Sequence, residues 1–221
     1  WMKSHEIKMA SLAFGEHSED IKPVIPAGAS DTAALDAVFE ALCRAARVQK
    51  FGPMLEDFIR LAVNTGCRRE EMLGLEWRRV DFANRLIYLE ASHTKAGKRR
   101  SIPINEGAMA ALKRRMAFRS ETSPECPWVF ARANGDRVVS LSAGFKQACQ
   151  AAKIADFTIH DLRHTFAVHT LLRWYREGAD LQARMPVLAT YLGHASIDGT
   201  QDYLQMTAEL FPEIVSRADA A

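Results

Sequence analysis

The sequence lacks the features of several protein classes. It has no run of about 18 apolar residues, so we expect no transmembrane helix. It also lacks the charged start and apolar stretch of a signal peptide. The four cysteines form no C-x-x-C pair, and their wide spacing argues against a disulfide framework or a zinc ribbon. These absences favour a cytoplasmic protein with reduced thiols.

The net charge is low, but the positive charges are clustered. The 221 residues carry a formal net charge of +2, and the 48% of hydrophobic residues is typical of a globular domain with a core. One basic cluster spans residues 95–100 and another spans residues 113–119. Such clusters can neutralise DNA phosphates, although a solvated face is the alternative for either cluster alone.

The spacing of apolar residues predicts a mostly helical chain. Residues 1–30 have few periodic apolar positions and several helix breakers, which predicts an irregular N-terminal arm. Three- and four-residue spacing predicts helices over residues 31–43, 53–65, 70–75, 105–116, 161–177, 185–192, 197–204 and 208–217, and one that begins at Ser140 or Ser142 and ends near residue 152. Gly66 can end the second helix, Asn105 can cap the fourth, and Pro186 is expected to interrupt the approach to Leu192. Period-two stretches predict strands at 80–82, 86–89 and 100–104. The expected fold class is mainly α with a small antiparallel β-sheet, which alone indicates no function.

Five local patterns carry reactive side chains. They are Thr65-Gly66-Cys67-Arg68, the basic turn over residues 94–103, His160-Asp161-Leu162-Arg163-His164, Leu192-Gly193-His194, and Tyr203. Two arginine forks can hold the two non-bridging oxygens of a phosphodiester in its transition state. A nucleophile and a general acid complete such a reaction. Because no carboxylate cluster here demands magnesium, the set suits metal-free phosphoryl transfer.

The order and spacing of these patterns resemble the tyrosine recombinases, or phage integrase family. That family carries T-G-x-R, then K-x-x-K-x-R-x-x-P on a β-turn, then H-x-L-R-H, then L-G-H, and a tyrosine nine positions after the last histidine. Tyr203 follows His194 by nine positions, and the resemblance covers roughly residues 34–215. It implies the family's catalytic-domain fold and an enzyme that breaks and rejoins DNA.

The resemblance implies that several cations contact the DNA. Arg68 and Arg163 would clamp the scissile phosphate, and His194 would donate a further hydrogen bond to it. Lys98 and Arg100 would contact DNA phosphate or hold the turn, rather than catalyse.

The resemblance also implies which groups move protons and form the covalent bond. Lys95 would protonate the departing 5′ oxygen, and His160 would assist proton removal from the nucleophile. Tyr203 would form the 3′-phosphotyrosyl bond, which conserves the energy of the cleaved linkage. We therefore expect no cofactor, no metal and no ATP.

Some of these residues have less reactive interpretations. His160 and His164 are spaced as zinc ligands are, but Asp161 replaces the catalytic glutamate of that motif and Arg163 would bring positive charge beside the metal. Glu71 matches a frequent acidic position of the family, with the neighbouring Glu70 as the alternative. We favour a simpler role for it, in which a carboxylate in the first turn of a helix complements the dipole.

The resemblance further implies the domain organisation and the partners. Residues 31–206 would form the catalytic domain, and residues 207–221 a C-terminal helical tail that can be exchanged between subunits. The expected partner is double-stranded DNA, bound by a homotetramer, with a monomer or weak oligomer in its absence. The residues before the first helix are too few for the family's usual N-terminal DNA clamp, so we expect a fragment or a short relative.

Two other functions remain open from the sequence. One is a relaxing enzyme that resembles type IB topoisomerases, which share the tyrosine chemistry and act as monomers without site preference. The other is a DNA-binding module that holds the catalytic set but does not cleave.

Overall fold

The computed structural model describes residues 31–91, 97 and 99–194, with the backbone alone for residues 31–35. Seven α-helices and one three-stranded sheet lie within these ranges, which confirms the expected fold class. None of the helices described there is long and apolar enough to cross a bilayer. The predicted arm, the helices at 197–204 and 208–217, and the tail lie outside the described residues.

The first two helices pack together through apolar and charged side chains. Helix α1 (Asp31–Arg47) follows the predicted pattern and contacts α2 (Gly52–Thr65). Its buried residues include Leu42, Cys43 and Ala46. Arg60 of α2 donates to Glu40 at 2.8 Å and to Glu56 at 3.0 Å, so charged contacts join the two helices beside the apolar stripe.

Helix α2 ends at Gly66, as predicted. The backbone of Gly66 is left-handed (φ 60°), and its N–H donates to the carbonyl of Ala62 at 2.8 Å. A Cβ at this position would lie 2.5 Å from the ring of Phe166, so only glycine fits both the turn and the neighbour. The chain then enters α3 (Arg69–Leu73), which is shorter than predicted.

The sheet has the predicted strands in the order β1-β2-β3. Strands β1 (Val80–Asp81), β2 (Leu86–Leu89) and β3 (Arg100–Pro103) are antiparallel. Ile87 pairs with Ile102, and both are buried against the helical core. The same register places the first residue of β3 beside the last residue of β2, at the base of the basic turn.

The middle of the chain forms two further core helices. Asn105 caps α4 (Glu106–Thr122) by accepting a hydrogen bond from the N–H of Ala108 at 2.9 Å, as predicted. Helix α4 runs six residues beyond its predicted end, because no glycine or proline interrupts residues 117–122. Helix α5 (Ser142–Ala151) begins at one of the two serines proposed for its start.

The last two described helices form a second buried cluster. Helix α6 (Asp161–Arg176) matches its prediction, whereas α7 (Leu181–Leu192) begins four residues before the predicted start at 185. Asp180 caps α7 by accepting a hydrogen bond from Ala183 N–H at 3.1 Å. Pro186 lies inside α7, so the expected interruption at this proline is wrong.

Tyr191 connects this second cluster to α2. Its ring stacks on Phe166 with 5.3 Å between centroids, and its hydroxyl donates to the carbonyl of Thr65 at 3.0 Å. The C-terminal ends of α2 and α7 are therefore held next to each other.

Candidate active site

Arg68 lies at the junction of α2 and α3, and its side chain reaches the end of α7. Its extended backbone (φ −70°, ψ 151°) precedes α3, and its N–H donates to Glu71 Oε2 at 2.8 Å. Nη1 donates to Glu71 Oε1 at 3.3 Å, and Nη2 donates to the carbonyl of Gly193 at 3.0 Å. The guanidinium is therefore fixed by a carboxylate from its own turn and by a carbonyl from a distant helix end.

Arg163 reaches the same helix end from α6. It is 2% exposed, and its Nη1 donates to the carbonyl of Gly66 at 2.7 Å. Its Nη2 donates to the carbonyl of Leu192 at 2.5 Å. Since Arg68 and Arg163 bind consecutive carbonyls, the structure brings together the two arginines that the sequence analysis assigned to one phosphate.

A third guanidinium approaches this corner from β3. Arg100 Nη2 donates to Glu71 Oε2 at 2.6 Å, and the side chains are 9% and 2% exposed. A Cβ at Gly193 would lie 2.7 Å from Arg100 Nη1, so the turn after α7 rests directly on this arginine. One buried carboxylate thus pairs with two guanidiniums.

His194 follows this turn and is surrounded by positive charge. Burial, followed by the charges of Arg163 and Arg68, lowers the pKa of His194 to about 4. Its imidazole is therefore neutral at pH 7 and carries one N–H donor. The surplus of cations over carboxylates here favours an anionic ligand.

His160 and His164 form an edge-to-face pair at the start of α6. Their ring centroids lie 4.8 Å apart, and His164 Nε2 lies 3.9 Å from Asp161 Oδ1. Asp161 accepts hydrogen bonds from Thr158 N–H at 2.8 Å and from its hydroxyl at 2.6 Å, which fixes the start of the helix. The described part of the chain contains no cluster of three or more His, Cys, Asp and Glu side chains arranged to hold a metal ion.

A cavity of about 1230 Å³ opens beside Arg68 and His160. Phe145 and Cys149 of α5 line one wall, and residues 154–160 line another. The cavity therefore borders two of the residues that the resemblance assigns to catalysis.

Three of the candidate site residues cannot be placed relative to this corner. Lys95, Lys98 and Tyr203 lie outside the described residues, so their assigned roles remain predictions. The described site consists of Arg68, Arg100, His160, Arg163 and His194.

Sequence reasoning missed how Glu71 connects two of these arginines. A role with the helix dipole was favoured for Glu71, and Arg100 was assigned to DNA phosphate or to the turn. In the structure both side chains are largely buried and bind each other. The available signal was the spacing of Arg68 and Glu71, which places the carboxylate in the first turn of α3 facing back toward the arginine.

We expect stability to fall as the pH decreases from about 6.5 to about 5. The pKa of His194 is near 6.5 when unfolded and about 4 when folded, so in this range the unfolded state binds the additional proton. Burial also lowers the pKa of His169, which acts in the same direction. In urea denaturation, the free energy of unfolding of His194→Asn should depend less steeply on pH than that of the wild type. Adding His169→Gln should remove part of the pH dependence that is left. Parallel curves for His194→Asn and wild type would contradict the assignment.

Comparisons with known proteins match most of the chain to one family. The model of the phage integrase family matches residues 35–209. A putative integrase/recombinase, y4rE of Sinorhizobium fredii, is 33% identical over 174 residues, which are 76% of this chain and 56% of that protein. Tyrosine recombinase XerD of Caulobacter vibrioides is 35% identical over 173 residues, or 74% of this chain and 53% of that protein. The chain thus spans about half the length of the curated relatives it matches.

Solved structures show the same fold. The crystal structure of XerA recombinase has a TM-score of 0.66 at 22% identity and covers 83% of this chain and 62% of that one. XerH site-specific recombinase bound to a palindromic difH substrate has a TM-score of 0.61 at 19% identity, with 82% of this chain and 51% of that one covered.

A second match covers only the start of the chain. The model of class-II glutamine amidotransferases matches residues 1–55. Over 55 residues the chain is 49% identical to the glutamate synthase [NADPH] large chain of Azospirillum brasilense, which is 25% of this chain and 4% of that protein. The two matched ranges overlap over residues 35–55, which include most of α1.

Proposed function

Because the chain belongs to the phage integrase family, the tyrosine recombinases, we propose that it breaks and rejoins DNA at specific sites through a 3′-phosphotyrosyl intermediate. The observation that carries this proposal is the convergence of Arg68 and Arg163 on the carbonyls of residues 192 and 193. Two guanidiniums in one corner suit the two non-bridging oxygens of a scissile phosphate. Neutral His194 beside them supplies a further donor.

In the proposed reaction, the phenol oxygen of Tyr203 attacks phosphorus and the bond to the 5′ oxygen breaks. His160 assists removal of the phenol proton, and Lys95 gives a proton to the departing 5′ oxygen. Rejoining reverses these steps: a 5′ hydroxyl attacks the phosphotyrosine, and the phenol regains its proton. Because the intermediate conserves the energy of the linkage, the cycle needs no ATP.

Double-stranded DNA is the proposed partner. The cation-rich corner and the adjacent cavity support this, as do solved relatives that hold DNA. One is a Tn1549 transposon integrase in complex with a circular intermediate DNA, and another is a lambda integrase dimer bound to a core site. Lys98 is proposed to add a phosphate contact from the basic turn. We propose a homotetramer on DNA and a monomer or weak oligomer without it, acting in the cytoplasm.

We propose the following domain organisation. Residues 31–206 form the catalytic domain and residues 207–221 a tail exchanged between subunits. Residues 1–30 precede the catalytic domain and are similar in sequence to a stretch of glutamate synthase. Since the similar segment is 4% of that relative, we propose no amidotransferase activity for this chain.

The decisive experiment is trapping on a nicked suicide duplex, whose cleaved strand cannot be rejoined. We expect the 221-residue chain to give a covalent protein–DNA band on a denaturing gel, and we expect EDTA to leave its rate unchanged within about twofold, since guanidiniums neutralise the phosphate. A strictly Mg²⁺-dependent nuclease run in parallel should lose its product in EDTA. A band that disappears with EDTA would contradict the mechanism.

The same preparation separates the rival functions. Recombination between two sites without relaxation of a site-free supercoiled plasmid supports the recombinase. Relaxation of that plasmid by the monomer indicates the topoisomerase-like alternative. Absence of a covalent band, with DNA binding retained, indicates the catalytically silent module. This alternative is tested because the chain spans only part of the length of its relatives.

A further inference from the structure

We propose that Arg100 is a positioning residue of the phosphate site, which fixes Arg68 by holding their shared carboxylate, Glu71, in place. This assignment rests on the proposed function, because it takes Arg68 as a ligand of the scissile phosphate. It differs from a role in which Arg100 itself reaches DNA.

The burial of Arg100 argues against a direct DNA contact. Its side chain is 9% exposed, whereas Arg99, one position earlier, is exposed. The guanidinium points toward α3 and the end of α7 rather than outward from the basic turn. A side chain that neutralises a DNA phosphate from this turn would have to lie at the surface.

Glu71 transmits the position of Arg100 to Arg68. Its Oε2 accepts from Arg100 Nη2 at 2.6 Å and from Arg68 N–H at 2.8 Å, while Oε1 accepts from Arg68 Nη1 at 3.3 Å. A carboxylate that is 3% exposed needs several donors to remain ionised and oriented. Without Arg100, Glu71 loses its shortest hydrogen bond and the restraint that aims Oε1 at the guanidinium of Arg68.

Arg100 also supports the second anchor of Arg68. The carbonyl of Gly193 accepts from Arg68 Nη2 at 3.0 Å, and a Cβ on Gly193 would lie 2.7 Å from Arg100 Nη1. Glu71 binds Arg100 directly, and the backbone of Gly193, whose carbonyl is the other anchor of Arg68, lies beside it. Strand β3, helix α3 and the end of α7 therefore meet at one side chain.

Stability alone does not account for this arrangement. Among residues 31–91, 97 and 99–194, Arg100 Nε and Nη1 are buried and have no hydrogen-bond partner. A buried arginine with one ion pair and two nitrogens that lack a hydrogen-bond partner among these residues contributes little to the free energy of unfolding. Its main effect is to position Glu71 and, through it, Arg68.

The first test needs no DNA. In protein labelled with ¹⁵N-arginine, the Nε–H signal of Arg68 is identified by its loss in Arg68→Lys. We expect Arg100→Ala to move this signal toward the position of exposed arginines. Arg85→Ala, which breaks an exposed ion pair between the β1–β2 turn and Glu106 of α4, should leave it unchanged. An Arg68 signal unaltered in Arg100→Ala would overturn the positioning role, whether or not the protein cleaves DNA.

The second test uses the suicide duplex. For Arg100→Ala we expect the cleavage rate at saturating DNA to fall about 10- to 100-fold, with half-saturation within about threefold of wild type. The slope of log binding constant against log salt should not change. Arg100→Lys, which can keep the pair with Glu71, should recover part of the rate.

The outcomes separate the two proposals. A salt slope reduced by about one, with a normal saturated rate, would make Arg100 a DNA contact and refute the positioning role. A wild-type protein that forms no covalent complex would overturn the proposed function, while the NMR comparison would still decide whether Arg100 fixes Arg68.

Discussion

Replacing Tyr203 by phenylalanine should abolish the covalent protein–DNA complex. The substitution removes the phenol oxygen that is proposed to form the bond to phosphorus, and a phenyl ring carries no nucleophilic atom in its place. We expect the rate of trapping on the suicide duplex to fall by at least about four orders of magnitude, below detection. Affinity for the duplex should stay within about threefold, because phosphate contacts by cations supply most of it.

Tyr191→Phe is the matched control for this experiment. It also removes one hydroxyl, but that hydroxyl donates to the carbonyl of Thr65 within the core. We expect a loss of about 1 kcal/mol in the free energy of unfolding and an unchanged covalent band. A band that persists in Tyr203→Phe and disappears in Tyr191→Phe would show that the wrong tyrosine was chosen as nucleophile.

Substitution of Arg163 should have the second-largest effect, on both stability and cleavage. Arg163→Ala leaves the buried carbonyls of Gly66 and Leu192 without their donors, which should cost about 2–5 kcal/mol in urea denaturation. Arg163→Lys keeps a charge, but a single ammonium cannot reproduce the fork that spans these two carbonyls. We expect the lysine variant to cleave about 100- to 1,000-fold more slowly when fully folded.

Arg115 provides the control for Arg163. It is another buried arginine, 4% exposed, and it donates to the carbonyls of Val129 and Ala131 at 3.4 and 3.3 Å. Arg115→Lys should destabilise the fold without slowing cleavage at temperatures where the protein is folded. Equal losses of cleavage rate in the two lysine variants would show that Arg163 acts through stability alone.

The elements that the sequence predicted well are those with local causes. The helix stop at Gly66 and the cap at Asn105 follow from backbone geometry and from one side-chain hydrogen bond, and both are confirmed. The resemblance to the phage integrase family rested on several motifs in one order, and it is confirmed by the family match. Motif order thus predicted the family and the fold, whereas the roles of the site residues remain predictions.

The parts that the sequence did not predict depend on distant contacts. The contact of Arg100 with Glu71 joins residues 29 positions apart, and only the folded sheet brings them together. The early start of α7 was missed because Pro186 looked like a break, although Asp180 begins the helix before it. The similarity of residues 1–55 to class-II glutamine amidotransferases was also missed. It is detected by comparison with other sequences and not by the periodicity of apolar residues.

The sequence of helix α1, at the edge of the domain, is constrained mainly by its packing against the core. Its residues from 35 onward match two unrelated family models, yet it contributes Leu42, Cys43 and Ala46 to the same core as α2. The neighbouring helices contact a stripe of small and medium apolar side chains on α1. A few charged side chains beside the stripe form ion pairs with α2. A helix at this edge of the domain therefore has to satisfy few constraints beyond an apolar stripe and its charged contacts with α2.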